Sequence, residues 1–296
     1  MSRSNTLSAR IEAHLQDKMR AMFAPARAAA TGKDADALHA MRVATRRLRI
    51  SFRYFAALFP ASELRQVQRQ LRRTTRILGE IRSLDVNLQL LHQAAKHLPA
   101  DTAAVQRKLT GELLAARQQH VHDLHELLQT FTTSHFEARI HTLTLKPRAV
   151  DNQRVLGEAQ DLILKFLRQL RRQFKKCRHN DQYGPALHKL RITAKRYRYT
   201  LETSLAVFKI SAMSQIKGIK KLQNYLGACH DQEVLLEFLQ SCRRQWKKAD
   251  NPLAGRLSNV LAFFQGEHEV AFADVKNFLS EDQDWHKKVK LLLPYD

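Results

Sequence analysis

The sequence predicts an all-α fold made of two tandem helical bundles related by an internal duplication. Its 296 residues include only 9 Gly and 7 Pro, and long runs without either residue favour helix. No stretch alternates apolar and polar residues clearly enough to predict a strand. A distinctive helical segment of the first half returns in the second half, which indicates that one helical unit occurs twice.

The repeated segment occupies residues 38–50 and 187–199, at an offset of 149 residues. In both copies a Leu-His pair is followed by basic residues at matching positions. A second pair of matching segments, residues 78–86 and 226–234, lies at an offset of 148 residues, and each begins with Leu-Gly. Two matched segments at nearly the same offset favour a duplication over a chance similarity.

The two bundles are predicted over residues 1–146 and 147–296, with the boundary in the segment 142–151. Pro and Gly mark most of the predicted helix ends. In the first half, helices are predicted over residues 6–30, from a cap at Asp34 or Asp36 to before Pro60, and over residues 61–78, 83–97 and 101–130. In the second half, helices are predicted over residues 152–178, from the break at 183–185 through the second copy of the repeat, and over residues 231–248. A long helix from beyond Pro252 to about residue 279 and a short helix near the C-terminus complete the prediction.

Two glycines are interpreted as breaks between helices. Gly79 and Gly227 occupy matching positions in the second repeated segment, and Gly commonly ends a helix. Ser83 and Asp231 are then predicted to cap the helices that follow.

Each copy of the repeated segment is predicted to have an apolar face and a cationic face. At about 100° per residue, the basic side chains of the first copy fall within roughly 80° of arc. Like charges one turn apart repel by about 0.2–0.5 kcal/mol per pair, so we expect an anion on this face; a solvated surface helix is the alternative, but it does not explain the repetition. The apolar face of the first copy carries Met41, Leu48, Phe52 and Phe55, and the cationic faces carry His39, Arg42, Arg46, Arg49 and Arg53 in the first copy and His188, Arg191, Lys195 and Arg198 in the second.

The helix after Pro60 carries a second cationic stripe, which spans about 60° of arc. A short connection makes the two helices antiparallel neighbours, so we expect their cationic faces to converge. Between His39 and Arg82 the chain has 11 basic residues and two acids. The stripe consists of Arg65, Arg69, Arg72 and Arg76.

Composition points to a polyanionic partner. The chain has 50 Lys and Arg against 28 Asp and Glu, a net charge of +22, and residues 1–148 hold 24 of the basic and 12 of the acidic residues. A basic excess in both halves favours nucleic acid, an anionic membrane or an inorganic polyanion as the partner. No apolar run approaches the roughly 18 residues of a membrane span, no signal-peptide pattern begins the chain, and the three Cys lack paired spacing, so we expect a cytoplasmic protein with reduced thiols.

The two motifs resemble those of the CHAD family, named for conserved histidines in an α-helical domain. The resemblance rests on an HxxR…RRxR helix followed by an LGxxRxxDV segment, each present twice, and it covers nearly the whole chain. It implies two bundles related by pseudo-two-fold symmetry, with basic helices lining a central groove or pore. It also implies non-enzymatic binding of inorganic polyphosphate and, in bacteria, association with polyphosphate granules.

The polyphosphate-binding residues that the resemblance implies can be named one by one. Three departures, Asn224 opposite Arg76, His230 opposite Arg82 and Glu202 opposite Arg53, make the second half less cationic, so we expect it to bind more weakly. The motif falls on His39, Arg42, Arg46, Arg47 and Arg49, on His188, Arg191, Lys195, Arg196 and Arg198, and, in the second helix pair, on Arg69, Arg72, Arg73, Lys217, Lys220 and Lys221, while Arg53, Arg65, Arg76 and Arg82 complete the predicted set.

Such a site is predicted to respond to salt and to pH. Polyphosphate carries about one negative charge per phosphate, so affinity should fall steeply with salt, by analogy with counterion release from DNA. Phosphates near His39 and His188 favour the cationic imidazole, so binding should strengthen as the pH falls through the histidine range. Neighbouring arginines oppose that charge in the empty protein.

Nucleic acid is the first alternative ligand. Proteins that bind single strands usually place aromatic side chains among the basic ones for base stacking, and the cationic faces of residues 39–76 carry none. Tyr197 and Tyr199 are predicted to lie off the cationic face. No helix-turn-helix or zinc-finger spacing is present, so we expect weak nucleic-acid binding at most.

An enzyme is the second alternative. Phosphoryl transfer needs a metal or the acids that hold one, and we predict neither a metal site nor a cofactor. Asp231 and Glu233 beside His230 are better interpreted as a helix cap and a solvated first turn. His120, His122 and His125 lack metal-ligand spacing. The basic patch of residues 168–176 is interpreted as a solvated flank, with a membrane-surface role as a weaker alternative.

Overall fold

The computed structural model describes residues 6–145, 151–178 and 184–281, and all the regular structure in these ranges is helical. This confirms the predicted all-α class. Short 3-10 helices cover Ala56–Leu58 and Ala100–Thr102. The α-helices are α1 (Leu7–Phe23), α2 (Ala26–Ala30), α3 (Ala35–Tyr54), α4 (Ala61–Ala94), α5 (Ala103–Thr133), α6 (Phe136–Leu145), α7 (Asn152–Arg178), α8 (Pro185–Phe208), α9 (Met213–Lys248) and α10 (Leu253–Glu281).

The predicted first helix is divided in two. Thr6 caps α1, because its Oγ1 accepts a hydrogen bond of 3.2 Å from the backbone N–H of Ala9. The chain then breaks between α1 and α2 at Ala24 and Pro25. Proline has no backbone N–H and its ring clashes with the preceding turn, so the prediction of one continuous helix over residues 6–30 was wrong.

The start of α3 follows one of its two predicted caps. Asp34 Oδ1 accepts a hydrogen bond of 2.9 Å from the backbone N–H of Ala37, so Asp34 is the cap and Asp36 lies in the first turn. α3 ends at Tyr54, and a 3-10 turn leads to Pro60 and the start of α4. The connection is therefore short, as predicted.

The predicted breaks at Gly79 and Gly227 are wrong. α4 is continuous through Gly79 and α9 is continuous through Gly227, so neither Ser83 nor Asp231 caps a helix. A helical glycine costs only about 1 kcal/mol relative to alanine, and each helix packs along its length against neighbours on both sides. Side chains that the sequence placed in separate helices therefore lie on one continuous helix in each case.

Two apolar cores hold the helices together. The main core contains Leu15 of α1, Met41 of α3 and Tyr197 of α8, each fully buried. The second core lies where the later part of α4 and the start of α5 meet the later part of α9 and the start of α10, and it includes Leu109 and Leu239. Each core draws on both predicted halves, and the division at residues 146 and 147 stays a prediction.

Polar contacts also join the two parts of the chain. The hydroxyls of Tyr54 in α3 and Ser204 in α8 lie 2.6 Å apart in the main core. In the second core, Glu112 of α5 accepts hydrogen bonds from Trp246 Nε1 at 2.9 Å and from Cys242 Sγ at 3.2 Å. These contacts fix α3 against α8 and α5 against α9.

Some predictions concern segments at the margins of the described ranges. α6 continues to Leu145, so the predicted boundary segment begins within a helix. The rest of that segment up to residue 150 and the predicted short C-terminal helix lie outside the described residues. The three cysteines are buried free thiols, as their spacing predicted. No helix in the described ranges is long and apolar enough to cross a membrane.

Candidate functional site

The two faces predicted for α3 are present in the structure. Met41, Leu48 and Phe52 are completely buried in the main core. On the other side, Arg42 and Arg46 are partly buried, whereas His39 is exposed at the start of the helix. The period of the sequence therefore correctly separated the core face of α3 from its cationic face.

The cationic faces of α3 and α4 converge, as predicted. Gln68 Nε2 donates a hydrogen bond of 3.0 Å to the backbone carbonyl of Arg49, and Arg82, further along α4, lies close enough to His39 to lower its pKa. Later residues of α4 thus lie beside earlier residues of α3. The two helices are antiparallel neighbours.

A cluster of five cations from three helices forms the candidate site, and we call it the central cluster. Arg46 and Arg82 lie close enough to Arg42 to lower its pKa, and Arg191, Arg46 and Arg42 lie close enough to Lys195 to lower its pKa. Asp231 of α9 lies among them. The central cluster therefore combines residues of both predicted halves. Its members are Arg42 and Arg46 of α3, Arg82 of α4, and Arg191 and Lys195 of α8.

The central cluster is electrostatically strained. Burial, followed by the charge of Arg46, lowers the pKa of Arg42 to about 10, and Arg42 Nε is buried without a hydrogen-bond partner in the described part of the chain. Burial, followed by the charges of Arg191 and Arg46, lowers the pKa of Lys195 to about 7. Such a site favours an anion that restores solvation and charge balance.

Asp231 belongs to this cluster and is not a helix cap. Burial raises the pKa of its carboxyl group, and Arg191 is the cation that lowers it most, with burial prevailing. Lys195, Arg82 and Arg42 act in the same direction as Arg191. In the empty protein the carboxylate of Asp231 partly offsets the repulsion among the surrounding cations.

Tyr199 and Glu202 are members of the site that the sequence reasoning missed. Burial raises the pKa of Tyr199, but hydrogen bonds and charges from Arg46 and Arg198 lower it below its usual value. Glu202 lies 3.6 Å from Arg47 and 3.5 Å from Arg198. The spacing of Arg198 and Glu202, one helical turn apart, could have predicted that pair. The contacts with α3 could not be read from α8 alone.

The histidines lie at one end of the cluster. Burial, followed by the charges of Arg42 and Arg82, lowers the pKa of His39. The rings of His188 and His230 are 5.8 Å apart, and His230 Nδ1 lies 3.3 Å from a carboxylate oxygen of Glu233. Burial, followed by the charge of Arg191, lowers the pKa of His230 to about 4, so it is neutral at physiological pH.

The remaining predicted residues surround this centre. Burial and then Arg46, Arg72, Arg53 and Arg196 lower the pKa of Arg49, which places these arginines of α3, α4 and α8 together. Lys221 is turned away, with its ammonium 5.3 Å from the ring of Phe278 in α10. The other predicted cations are exposed along α4 and α9, and these are Arg65, Arg69, Arg73, Arg76, Lys217 and Lys220.

Comparisons with known proteins bear on this arrangement. A protein-family model described as the CHAD domain matches residues 13–240. The crystal structure of the CHAD domain from the plant Ricinus communis superimposes with a TM-score of 0.71 at 20% identity, covering 97% of this chain and 93% of that one. PptA from Streptomyces chartreusis superimposes with a TM-score of 0.62 at 15% identity, covering 93% of this chain and 99% of that one. No curated protein matched the sequence.

Proposed function

This chain belongs to the CHAD domain family, and on that premise we propose that it binds inorganic polyphosphate without acting on it chemically. The observation that carries the proposal is the central cluster. Three helices from both parts of the chain bring five cations to one place, and the nearby carboxylate of Asp231 offsets only part of their charge. A phosphate chain is the type of ligand that such a surface can hold.

The chemistry of the side chains fits phosphate oxygens. Arginine presents a planar fork of N–H donors that can bind two oxygens at once, and lysine adds a compact charge. The central cluster continues into the arginines around Arg49 and into the exposed stripe of α4. Polyphosphate is flexible and has no bases to be read, so an extended cationic surface suits it better than a shaped pocket.

We further propose that the two halves form the two pseudo-symmetric sides of a groove that holds the polyphosphate chain. The pairs His39 with Arg82 and His188 with His230 lie at matching sequence positions and are neighbours in both parts of the fold. Binding of polyphosphate by both sides of the groove would localise the protein to polyphosphate granules in the cytoplasm.

Nucleic acid is the less favoured ligand. Single-strand binding proteins stack bases on accessible aromatic rings. Tyr199, the aromatic residue between Arg46 and Arg198, is only 5% exposed and cannot offer its ring to a base. We expect weak nucleic-acid binding through charge alone.

Catalysis on phosphate is also less favoured. Metal-assisted phosphoryl transfer needs carboxylates with a free charge to hold a divalent cation. Asp231 is surrounded by Arg42, Arg82, Arg191 and Lys195, and these positive charges would repel such a cation. The arrangement supports anion binding.

A competition titration tests the proposed ligand. Long-chain polyphosphate would compete against labelled single-stranded and double-stranded DNA at low and at near-physiological salt. We expect polyphosphate to displace both DNAs at equal phosphate concentration and to remain bound at the higher salt. If DNA competes equally for each phosphate charge, the cationic surface is a general polyanion surface and the proposal is wrong.

A further inference from the structure

A cavity of about 830 Å³, which we call the α6 cavity, lies between α1, α2, α5 and α6. None of the cations of the central cluster lines it. Small-molecule sites in proteins have volumes of about 300–1,000 Å³ and are mostly apolar, with a few polar groups that orient the ligand. The α6 cavity therefore has the size of a ligand site, and polyphosphate binding does not use it.

Small side chains leave this space open. The chain breaks between α1 and α2 at Ala24 and Pro25, and beyond the break α2 lines the cavity with Ala26 and Ala30. α6 contributes a third alanine, Ala138. Protein interiors are normally packed closely by larger side chains, and the methyl groups of these alanines do not fill the space between the helices.

The buried side of the α6 cavity is apolar. Met19 of α1 and Phe131 of α5 both line it and are only 4% and 5% exposed. The ring of Phe23, also in the lining, lies edge-on to that of Phe131 with the centroids 6.5 Å apart. A hydrocarbon chain placed on these side chains would leave water, which is favourable for every methylene that is buried.

The exposed side of the cavity carries hydrogen-bond donors that have no other partner. Gln129 Nε2 lies 2.8 Å from His125 Nε2, and because the amide nitrogen donates, the proton of this imidazole is assigned to Nδ1. The side chains of Arg27, His135 and His141 form no hydrogen bond or ion pair within the described ranges. No group of His, Cys, Asp and Glu in these ranges is placed to hold a metal ion, so the histidines here are available as donors.

The charges in the lining select the head group of a ligand. Arg27 supplies a permanent cation, and a guanidinium binds a carboxylate through two parallel hydrogen bonds. A neutral imidazole can donate one further hydrogen bond. The acid Glu137 also lines the cavity, and it repels a doubly charged head group more strongly than a singly charged one. A carboxylate therefore fits this rim better than a phosphate.

We propose that the α6 cavity binds a carboxylic acid with a long hydrocarbon chain, such as a fatty acid. The chain lies on the apolar side of the cavity, and the carboxylate accepts hydrogen bonds from Arg27 and the neighbouring imidazoles. This site is separate from the central cluster, so the proposal does not rest on polyphosphate binding.

Isothermal titration calorimetry with decanoate tests the proposal on the intact chain. We expect saturable binding of one decanoate per chain. Hexanoate has the same charge and four fewer methylenes, so it should bind about 100-fold more weakly. The neutral 1-decanol should bind about tenfold more weakly than decanoate, because it lacks the charged hydrogen bonds. Decyl phosphate, doubly charged at pH 8, should also bind more weakly than decanoate.

Three variants locate the ligand. Arg27→Gln should weaken decanoate binding about tenfold and leave 1-decanol binding unchanged. Arg20→Gln is the matched control for charge, because Arg20 is exposed on α1 outside the cavity lining. Ala138→Leu fills the cavity from an exposed helical position that tolerates leucine, and it should weaken both ligands at least tenfold. None of the three should change polyphosphate binding.

Several results would overturn the inference. If decanoate does not bind saturably, the cavity is not a site for such acids. If hexanoate binds as tightly as decanoate, charge alone attracts the acid and the apolar surface plays no part. Equal or tighter binding of 1-decanol or decyl phosphate would show that the assignment to a carboxylate is wrong. Decanoate binding that survives Ala138→Leu unchanged would place the ligand outside the α6 cavity.

Discussion

The cations of α3 and α4 and those of α8 meet at one site, but their charges are balanced differently. Arg42 Nε and Arg198 Nε each lack a hydrogen-bond partner within the described ranges, but the charges that shift the pKa of Arg49 are all those of other arginines. In the second part, Glu202 pairs with Arg198 at 3.5 Å. Glu202 also lies 3.6 Å from Arg47 of the first part, and Asp231 lies among cations of both parts, so α8 and α9 supply these acids of the shared site.

Because of this difference, we expect the two parts of the chain to contribute unequally to the affinity for polyphosphate. A cation that already has an acid beside it gains less from an incoming phosphate, because the phosphate must replace an existing interaction. The weaker binding expected for the second half from its sequence departures now has a structural basis. It stays a prediction, which the following experiments test.

The largest expected difference lies between matched double variants. The double variant Arg42→Gln with Arg46→Gln should weaken polyphosphate binding about 100-fold, because each lost charged hydrogen bond costs about 1.5–3 kcal/mol. The double variant Arg191→Gln with Lys195→Gln should weaken it only about tenfold, because Lys195 is already partly neutral. The measurement is a titration with polyphosphate of defined length at fixed salt.

A matched control lies outside the central cluster. Arg168 and Arg172 are exposed on α7, and their replacement by Gln removes as much charge as either cluster variant. Because they lie outside the central cluster, we expect little loss of affinity from this replacement. Removal of each cation that contacts phosphate should also make the slope of log affinity against log salt shallower by about 0.7. Equal losses from the two cluster variants would show that the halves contribute equally.

The pH dependence should depend on Lys195. Its pKa is about 7 in the empty protein, and a nearby phosphate raises that pKa. Between the two values binding takes up a proton, so affinity falls as the pH rises, by about tenfold from pH 7 to pH 9. Below pH 7 the amine is already charged and contributes no such dependence.

Calorimetry in buffers of different ionisation enthalpy would count this proton. The variant Lys195→Arg should bind with little change in affinity across the same window, because arginine stays charged. A wild-type chain that binds polyphosphate without proton uptake above pH 7 would show that the ligand does not approach Lys195.

A smaller gain is expected from Glu202→Gln. The substitution frees Arg47 and Arg198 from their ion pairs at 3.6 and 3.5 Å and should raise affinity about threefold, since partly exposed ion pairs are worth at most about 1 kcal/mol. Glu63→Gln, at an exposed position of α4, is the control for net charge alone. If both variants gain equally, Glu202 exerts only a long-range effect.

The smallest effect should come from restoring a missing cation. Asn224, exposed on α9, stands where the first half has Arg76. Asn224→Arg should raise affinity about twofold and steepen the salt dependence, because exposed charges are strongly screened. No change in the salt slope would place Asn224 outside the path of the strand.

The sequence predicted the parts of this site that depend on one helix or on a short connection. The period of α3 located its cationic face, and the short turn at Pro60 made α4 its antiparallel neighbour. Gly79 and Gly227 misled the prediction because their local preference is weak and the packing of α4 and α9 overrides it. The prediction therefore divided each of these helices in two and interpreted Asp231 as a helix cap.

Tyr199 and Asp231 could not be located from helical projection alone. Tyr199 lies off the cationic face of α8, but Arg46 of α3 reaches it across the contact between the helices. Asp231 obtains its neighbours from α3, α4 and α8. Both placements depend on how the helices pack together, which no single segment of the sequence encodes.

Polyphosphate is proposed to lie on the central cluster. Reversal of Arg42, Arg46, Arg191 and Lys195 to Glu together tests this placement, with circular dichroism to verify the helical fold and a polyphosphate titration to measure binding. We predict that binding is lost while the helical signal is retained. Retained binding in a folded variant would contradict the claim and move the site elsewhere, with the basic face of α7 over residues 165–178 as the next place to test.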